Sequence, residues 1–202
     1  MAKLYFRYGT MGSAKTLNLL AVAHSYRTQG KNVLLLKPAL DDRFGVKTVR
    51  SRSGLELEAD ILVTRNTRLS SADLNNLHCI LVDEAQFLTR EFVDHLREIA
   101  TVYGIPIICY GLRGDFRKNL FEGSLRLLEL SDQIEEVKST CHDCNRKAIF
   151  NLRLSGGWAT LEGPEIQLGA DDHYIPVCDA CYRDRVAKSR LHAQVQSGDL
   201  SL

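Results

Sequence analysis

An α/β fold, a doubly wound parallel sheet with a small C-terminal lobe, is predicted by three observations. Short apolar runs alternate with helical patterns over the first two-thirds of the 202-residue chain. The octapeptide GTMGSAKT, residues 9–16, lies between the first apolar run and the first helical pattern. Two cysteine pairs and a change of composition mark the rest of the chain.

The runs LYFRY (4–8), NVLLLK (32–37), DILVT (60–64), CILVDE (79–84) and PIICYGL (106–112) are rich in Val, Ile and Leu, with little polar alternation. Strands buried on both faces of a parallel sheet read this way. Between them, TLNLLAVAHSYRTQG (16–30) and TREFVDHLREIATVYG (89–104) carry apolar residues at helical spacing and end at glycine. Alternation of this kind builds right-handed βαβ units. Near Ser139 the style changes to cysteine pairs, a Gly-rich SGGW and the turn-rich LEGPEIQLGADDHY. The expected organisation is a core over 1–138, a lobe with a long loop over 139–190, and a polar, flexible tail over 191–202.

Composition narrows the function. The chain is 45% hydrophobic and 25% charged, with a formal net charge of +1. That charge lacks the basic field that nucleic acid attracts. No apolar run reaches the roughly 18 residues of a membrane helix. The start, MAKLYFRYG, lacks the pattern of a signal peptide. A cytoplasmic protein with neither membrane nor nucleic acid as partner is expected.

GTMGSAKT departs by one residue from the phosphate-binding pattern G-x-x-x-x-G-K-[ST]: Ala14 replaces the second glycine. The context, strand before and helix after, points backbone N–H groups and the positive helix end at a phosphate. Lys15 would reach the β- and γ-phosphates, and Thr16 would offer its hydroxyl to Mg²⁺. The plain alternative is a capped helix with an incidental lysine. Glycine supplies positive φ and close approach, so alanine is acceptable if its φ is negative, and helical φ is expected at Ala14. A second signal lies in CILVDEAQF, a strand ending in Asp83 and Glu84. An acid there helps to hold Mg²⁺, and its neighbour can orient or deprotonate a nucleophile. Taken alone, the pair would only mark a strand running into solvent.

Cys141/Cys144 and Cys178/Cys181 are two C-x₂-C pairs separated by 33 residues. Four thiolates in two such pairs suit tetrahedral Zn²⁺ better than disulfides, although the intervening loop exceeds the usual length. His142 is an alternative ligand. Cys79 and Cys109, inside apolar runs, read as core residues.

In combination these segments resemble the zinc-containing (type II) thymidine kinases of bacterial type. The resemblance covers about residues 4–182 and rests on the G-x-M-x-S start of the loop, VDEAQF, GLRGDFR, the paired cysteines and GADDHYIPVC, in that order. It implies a P-loop (RecA-like) core and transfer of phosphate from ATP to deoxythymidine. Glu84 would be the general base. Gly9, Thr10, Met11, Gly12, Ser13, Ala14, Lys15, Thr16, Asp83, Glu84, Ala85 and Gln86 would hold ATP and Mg²⁺. Met11, Phe87, Leu112, Phe116, Asn151 and Tyr174 would build a thymine pocket, with the backbone of Glu165, Ile166, Gln167, Leu168 and Gly169 hydrogen-bonding the base. Asp41 and Arg43 match a D-x-R segment. Arg43 and Arg153 are possible phosphate contacts, whereas Arg113, Arg117 and Lys118 read as solvated surface. Core packing is the plain alternative for Phe87, Leu112, Phe116 and Tyr174. The resemblance also implies a homotetramer, feedback by dTTP and a role in nucleotide salvage.

Two other functions fit parts of the sequence. DEAQ is similar to the helicase DEAD box, but the chain has one such core and a near-neutral charge. A non-catalytic nucleotide-binding module would not need both Lys15 and Glu84.

Overall fold

The structure, a computed structural model, describes residues 2–42, 45–165 and 174–197. Six strands form one parallel sheet: β1 (Leu4–Tyr8), β2 (Val33–Pro38), β5 (Ile61–Val63), β6 (Cys79–Val82), β7 (Ile107–Gly111) and β8 (Gln133–Glu136). Their order is β5-β2-β6-β7-β1-β8, and every neighbouring pair is parallel. The short β3 (Thr48–Arg50) and β4 (Glu56–Glu58) make a separate antiparallel hairpin. The five apolar runs all contribute strands. β8, with the polar sequence QIEE beside β1, does not show in the pattern, because its side chains are exposed or half-buried.

Strand alternation sorts side chains to two faces. Leu4, Phe6, Ile80, Val82, Ile107 and Cys109 face one core, packed with Phe92, Val93, Leu96 and Ile99 of α2 (Arg90–Val102) and Leu127 of α3 (Glu122–Leu130). Leu35, Cys79, Leu81, Ile108 and Tyr110 face the other, packed with Leu19, Leu20 and Ala23 of α1 (Lys15–Thr28). Apolar side chains are needed on both faces, so the strands lack polar alternation. α2 has a conventional start: the Thr89 hydroxyl accepts the Phe92 N–H at 3.3 Å. α1 lacks a side-chain cap and begins at the phosphate loop.

The lobe is a second, antiparallel sheet of β9 (Phe150–Ser155), β10 (Trp158–Ala159) and β11 (Tyr174–Val177), with α4 (Asp179–Ser197). Leu152, Val177 and Tyr182 centre its small core beside Cys141 and Cys178. α4 runs past residue 191, where a flexible tail is expected. His192 stacks on Trp158 at 3.9 Å, and the Ser189 hydroxyl accepts the Ala159 N–H at 2.8 Å, so contacts with β10 hold this polar sequence as helix.

Basic side chains fasten the lobe to the core, so the solvated reading of Arg113, Arg117 and Lys118 is corrected. Lys118 Nζ lies 4.3 Å and 4.0 Å from the Phe150 and Tyr182 ring centres and 2.9 Å from Asp179. Arg117 donates to the Leu161 carbonyl at 2.8 Å and also to that of Gly163. Arg113 donates to the Ile149 carbonyl and stands over the Tyr8 and Phe150 rings. Long cationic stems suit such aromatic surfaces. The Tyr182 hydroxyl adds a bond to the Phe116 carbonyl at 2.6 Å.

Candidate active site

The chain leaves β1, β6 and β7 at the same end of the sheet, where open α/β sheets place ligands. The loop after β1 crosses to β7, with Gly9 N–H bound to the Gly111 carbonyl at 3.2 Å. Gly9 has no room for a side chain: a Cβ would stand 2.4 Å from both Ser13 Oγ and the Val137 carbonyl oxygen. Lys15 folds over the loop and donates to the carbonyls of Gly9 and Thr10 at 3.1 and 2.8 Å. The lobe buttresses the loop. Asn151 Oδ1 accepts the Met11 N–H at 2.8 Å, and the hydroxyls of Thr10 and Ser139 meet at 2.5 Å.

Ala14 does not have the expected helical φ. Its φ is 65° and ψ 23°, left-handed, like φ 75° at Gly12. The helix begins at Lys15, so Ala14 is its N-cap, and a capping residue lies outside helical dihedral space. A non-glycine residue there costs roughly 1–2 kcal/mol. Ala14 is therefore not accommodated by a negative φ, and the loop carries this strain. It is nonetheless not closed: residues 11–17 line an open cleft of about 280 Å³.

Opposite the loop, the end of β6 presents Asp83 and Glu84. Thr16 Oγ1 donates to the Asp83 carboxylate. Asp83 is 5% exposed. Burial, then the neighbouring Glu84 charge, hold its carboxyl above the usual range, opposed by Lys15 and Thr16. Glu84 is itself left-handed (φ 47°, ψ 40°) and lines the cleft. A short 3₁₀ turn, Ala85–Phe87, follows it.

The far wall of the cleft is the β3–β4 hairpin and the loop before it, contributing Asp41 and residues 48–53. Lys37, 1% exposed at the end of β2, pins this wall. Its ammonium lies 3.4 Å from Asp41 and donates to the carbonyls of Thr48 and Gly45 at 2.8 and 3.2 Å. Arg52 Nη1 stands 3.6 Å from where a Cβ on Gly12 would lie, across the phosphate loop. Sequence reasoning missed Arg50, Ser51, Arg52 and Ser53. Their signal was the basic, serine-rich turn before Gly54, whose φ is 90°.

Of the expected pocket residues, Met11 and Leu112 line the cleft, and Asn151 reaches it through the Met11 N–H. Phe116 is buried and meets Tyr174 edge-on at 6.3 Å, with the Arg153 guanidinium 5.2 Å from its ring centre. Phe87 packs edge-on against Phe121 at 5.8 Å, outside the cleft lining. Arg153 donates to the carbonyls of Glu162 and Pro164 at the base of the long loop and does not line the cleft. Glu165 is exposed. Arg43 and Ile166, Gln167, Leu168 and Gly169 lie outside the described residues.

The four paired cysteines converge, with all four sulfurs within 4.8 Å of one another. Cys144 Sγ lies 3.7 Å from both Cys178 Sγ and Cys181 Sγ. A disulfide needs about 2.05 Å. A tetrahedron with Zn–S near 2.3 Å has edges of about 3.8 Å, so this spacing could hold a structural metal. His142 is exposed and turned to Asp143 at 2.9 Å, away from the ligand role. Cys79 and Cys109 are buried core residues whose thiols burial pushes up.

A parallel sheet that aims a strand–loop–helix turn, a threonine hydroxyl and two acids into one cleft places the chain in the class of P-loop nucleotide-binding proteins. Within that class, the thymidine kinase family model matches residues 2–182. The chain belongs to the thymidine kinase family. It is 44% identical over 189 residues to a thymidine kinase of Lactobacillus acidophilus, covering 88% of this chain and 94% of the relative. A Pasteurella multocida thymidine kinase is 45% identical over 195 residues, covering 93% and 100%. One from Streptococcus thermophilus is 46% identical over 180 residues, covering 88% and 92%.

Proposed function

We propose that this chain transfers the γ-phosphoryl group of ATP to the 5′-hydroxyl of deoxythymidine, giving dTMP and ADP. Family membership supports the substrates. The observation that carries the chemistry is the Thr16–Asp83 contact beside Glu84 on the cleft wall.

The backbone of the loop over residues 9–16 cradles the phosphates, apart from the N–H groups of Gly9 and Met11, which are bonded to Gly111 and Asn151. Lys15 exchanges its bonds to the Gly9 and Thr10 carbonyls for phosphate oxygens, and Arg52 approaches the same oxygens from the hairpin. Thr16 and Asp83 would hold Mg²⁺, which when bound neutralises charge on the β- and γ-phosphates. Glu84 accepts a hydrogen bond from the 5′-hydroxyl and takes its proton as the new O–P bond forms and the bond to ADP breaks. Ala85 and Gln86 shape the turn behind it.

Met11, Leu112, Phe116, Asn151 and Tyr174 form the thymine side, with Phe87 supporting it, and the family resemblance assigns hydrogen bonds to the base to the backbone of 165–169. The carbonyl bonds of Arg153 favour holding that loop over contacting phosphate; Arg43 is the remaining expected phosphate contact. Residues 1–138 form the ATP-binding unit and 139–190 the substrate lobe, stapled by zinc on Cys141, Cys144, Cys178 and Cys181. Feedback by dTTP, a homotetramer and a cytoplasmic salvage role follow from the family resemblance. The test is transfer of radiolabel from γ-labelled ATP to thymidine. ATP hydrolysis stimulated by DNA, without labelled dTMP, would overturn this reading.

A further inference from the structure

Gln86 is buried, at 2% exposure, and both ends of its amide bond within the protein. Its Nε2 donates to Glu84 Oε2 at 2.6 Å, and its Oε1 accepts the Leu112 N–H at 2.9 Å. The direction is forced. A backbone N–H can only donate, so the amide oxygen must face Leu112 and the NH₂ must face Glu84. Space is reserved for this arrangement. A Cβ on Gly111 would stand 2.8 Å from Gln86 Oε1 and 3.0 Å from its backbone N. A Cβ on Gly123, in α3, would stand 2.5 Å from the Ala85 carbonyl oxygen. α3 also holds the other side of Leu112, because the buried Ser124 hydroxyl donates to the Leu112 carbonyl at 2.5 Å.

We infer that Gln86 is a positioning residue that locks the Glu84 carboxylate in place and ties it to the nucleoside side of the cleft through the Leu112 backbone, rather than a ligand of ATP. The amide presents only a donor to Glu84, so it fixes Oε2 in place as an acceptor. Glu84 sits in a left-handed backbone conformation (φ 47°), and the bond from the Leu112 N–H, 26 positions away, anchors the Gln86 side chain that holds its carboxylate. The inference rests on the reading of Glu84 as general base, and the experiment separates the two.

Steady-state kcat and KM for both substrates are measured for Gln86→Met, Gln86→Glu, Glu84→Gln and the double variant Glu84→Gln/Gln86→Met, with thermal melting as a control on folding. Gln86→Met deletes both bonds at similar volume. Gln86→Glu keeps an acceptor for Leu112 and replaces the donor facing Glu84. Misplacement of a reacting group can cost about 10²-fold. Both Gln86 variants should therefore lose kcat by up to about that factor, with KM for ATP within about twofold of wild type. Gln86→Met should have little further effect when Glu84 is already Gln. If Gln86→Met lowers kcat equally in both backgrounds, or raises KM for ATP while kcat holds, the inference is overturned and Gln86 is structural or an ATP contact. If Glu84→Gln itself keeps near-normal turnover, the general-base reading fails instead, whatever the Gln86 variants do.

Discussion

Thr16 Oγ1 lies 3.2 Å and 3.3 Å from the two carboxylate oxygens of Asp83, joining the first turn of α1 to the end of β6. The contact spans 67 positions of sequence and brings the phosphate loop and the strand-end acid into one site. It holds a carboxylate that is buried beside another acid, and burying a charge is costly. Asp83→Asn removes that charge, and the amide oxygen can still accept from Thr16. The variant should melt no lower than wild type and yet lose ATP-dependent turnover, as calorimetry and the labelled-thymidine assay would show. A lower melting temperature with turnover retained would make Asp83 structural.

Arg52 faces the phosphate loop from a hairpin whose base is pinned by buried Lys37. Arg52→Ala should raise KM for ATP with little change in KM for thymidine, since the lobe and Leu112 are untouched. A charge-assisted hydrogen bond contributes about 1.5–3 kcal/mol, which corresponds to a rise of roughly 10- to 100-fold. Equal weakening of both substrates would point to collapse of the hairpin instead.

How much of this was legible in sequence depends on what each feature needs. Leu4–Tyr8 and Cys79–Val82 are legible because a strand buried on both faces must be continuously apolar. The acids and the loop follow them at fixed offsets. β8 is polar because its side chains stay exposed or half-buried, so Gln133–Glu136 leaves no hydrophobic signature. The hairpin strands, Thr48–Arg50 and Glu56–Glu58, are too short to show a period. The aim of Gln86 at Glu84 and the stacking of Lys118 on Tyr182 depend on partners distant in the chain or on the turn of a short helix. The sign of φ at Ala14 depends on where the helix starts, and boundaries are the least determined part of a periodic pattern.

Metal removal should separate the two substrates. The cysteine cluster lies in the lobe core with Leu152 and Val177, whereas β6 belongs to the main sheet and α1 packs on it. One zinc per chain should be released by a chelator under denaturing conditions and detected with a colorimetric indicator. Removal from the folded enzyme should raise KM for thymidine well above any change in KM for ATP. Some effect on ATP is expected, because Asn151 accepts the Met11 N–H and Ser139 meets Thr10. Absence of zinc from protein purified without chelator, with full activity, would rule out the metal.

Ala14 gives the sharpest stability test, because its cost comes from backbone conformation alone. At φ 65° an alanine is strained by roughly 1–2 kcal/mol, whereas glycine is at ease there. Glycine also adds freedom to the unfolded chain, offsetting about 0.4–1 kcal/mol. Ala14→Gly should therefore stabilise the protein by about 0.5–1 kcal/mol, a rise in melting temperature of roughly 1–4 °C for a chain of this size. The β-branched Ala14→Val should move it the other way, since branching makes positive φ still less favourable. Gly12→Ala is the internal control: φ is 75°, and the nearest atom to the added carbon is Arg52 Nη1 at an ordinary 3.6 Å, so its loss should come from strain. Glycine keeps the same left-handed conformation and adds no atoms to the loop, so KM for ATP should be nearly unchanged. Differential scanning calorimetry of the three variants reads the signs directly. A drop in melting temperature for Ala14→Gly would mean that the helix extends through Ala14 in solution and that the loop is not held left-handed at its cap.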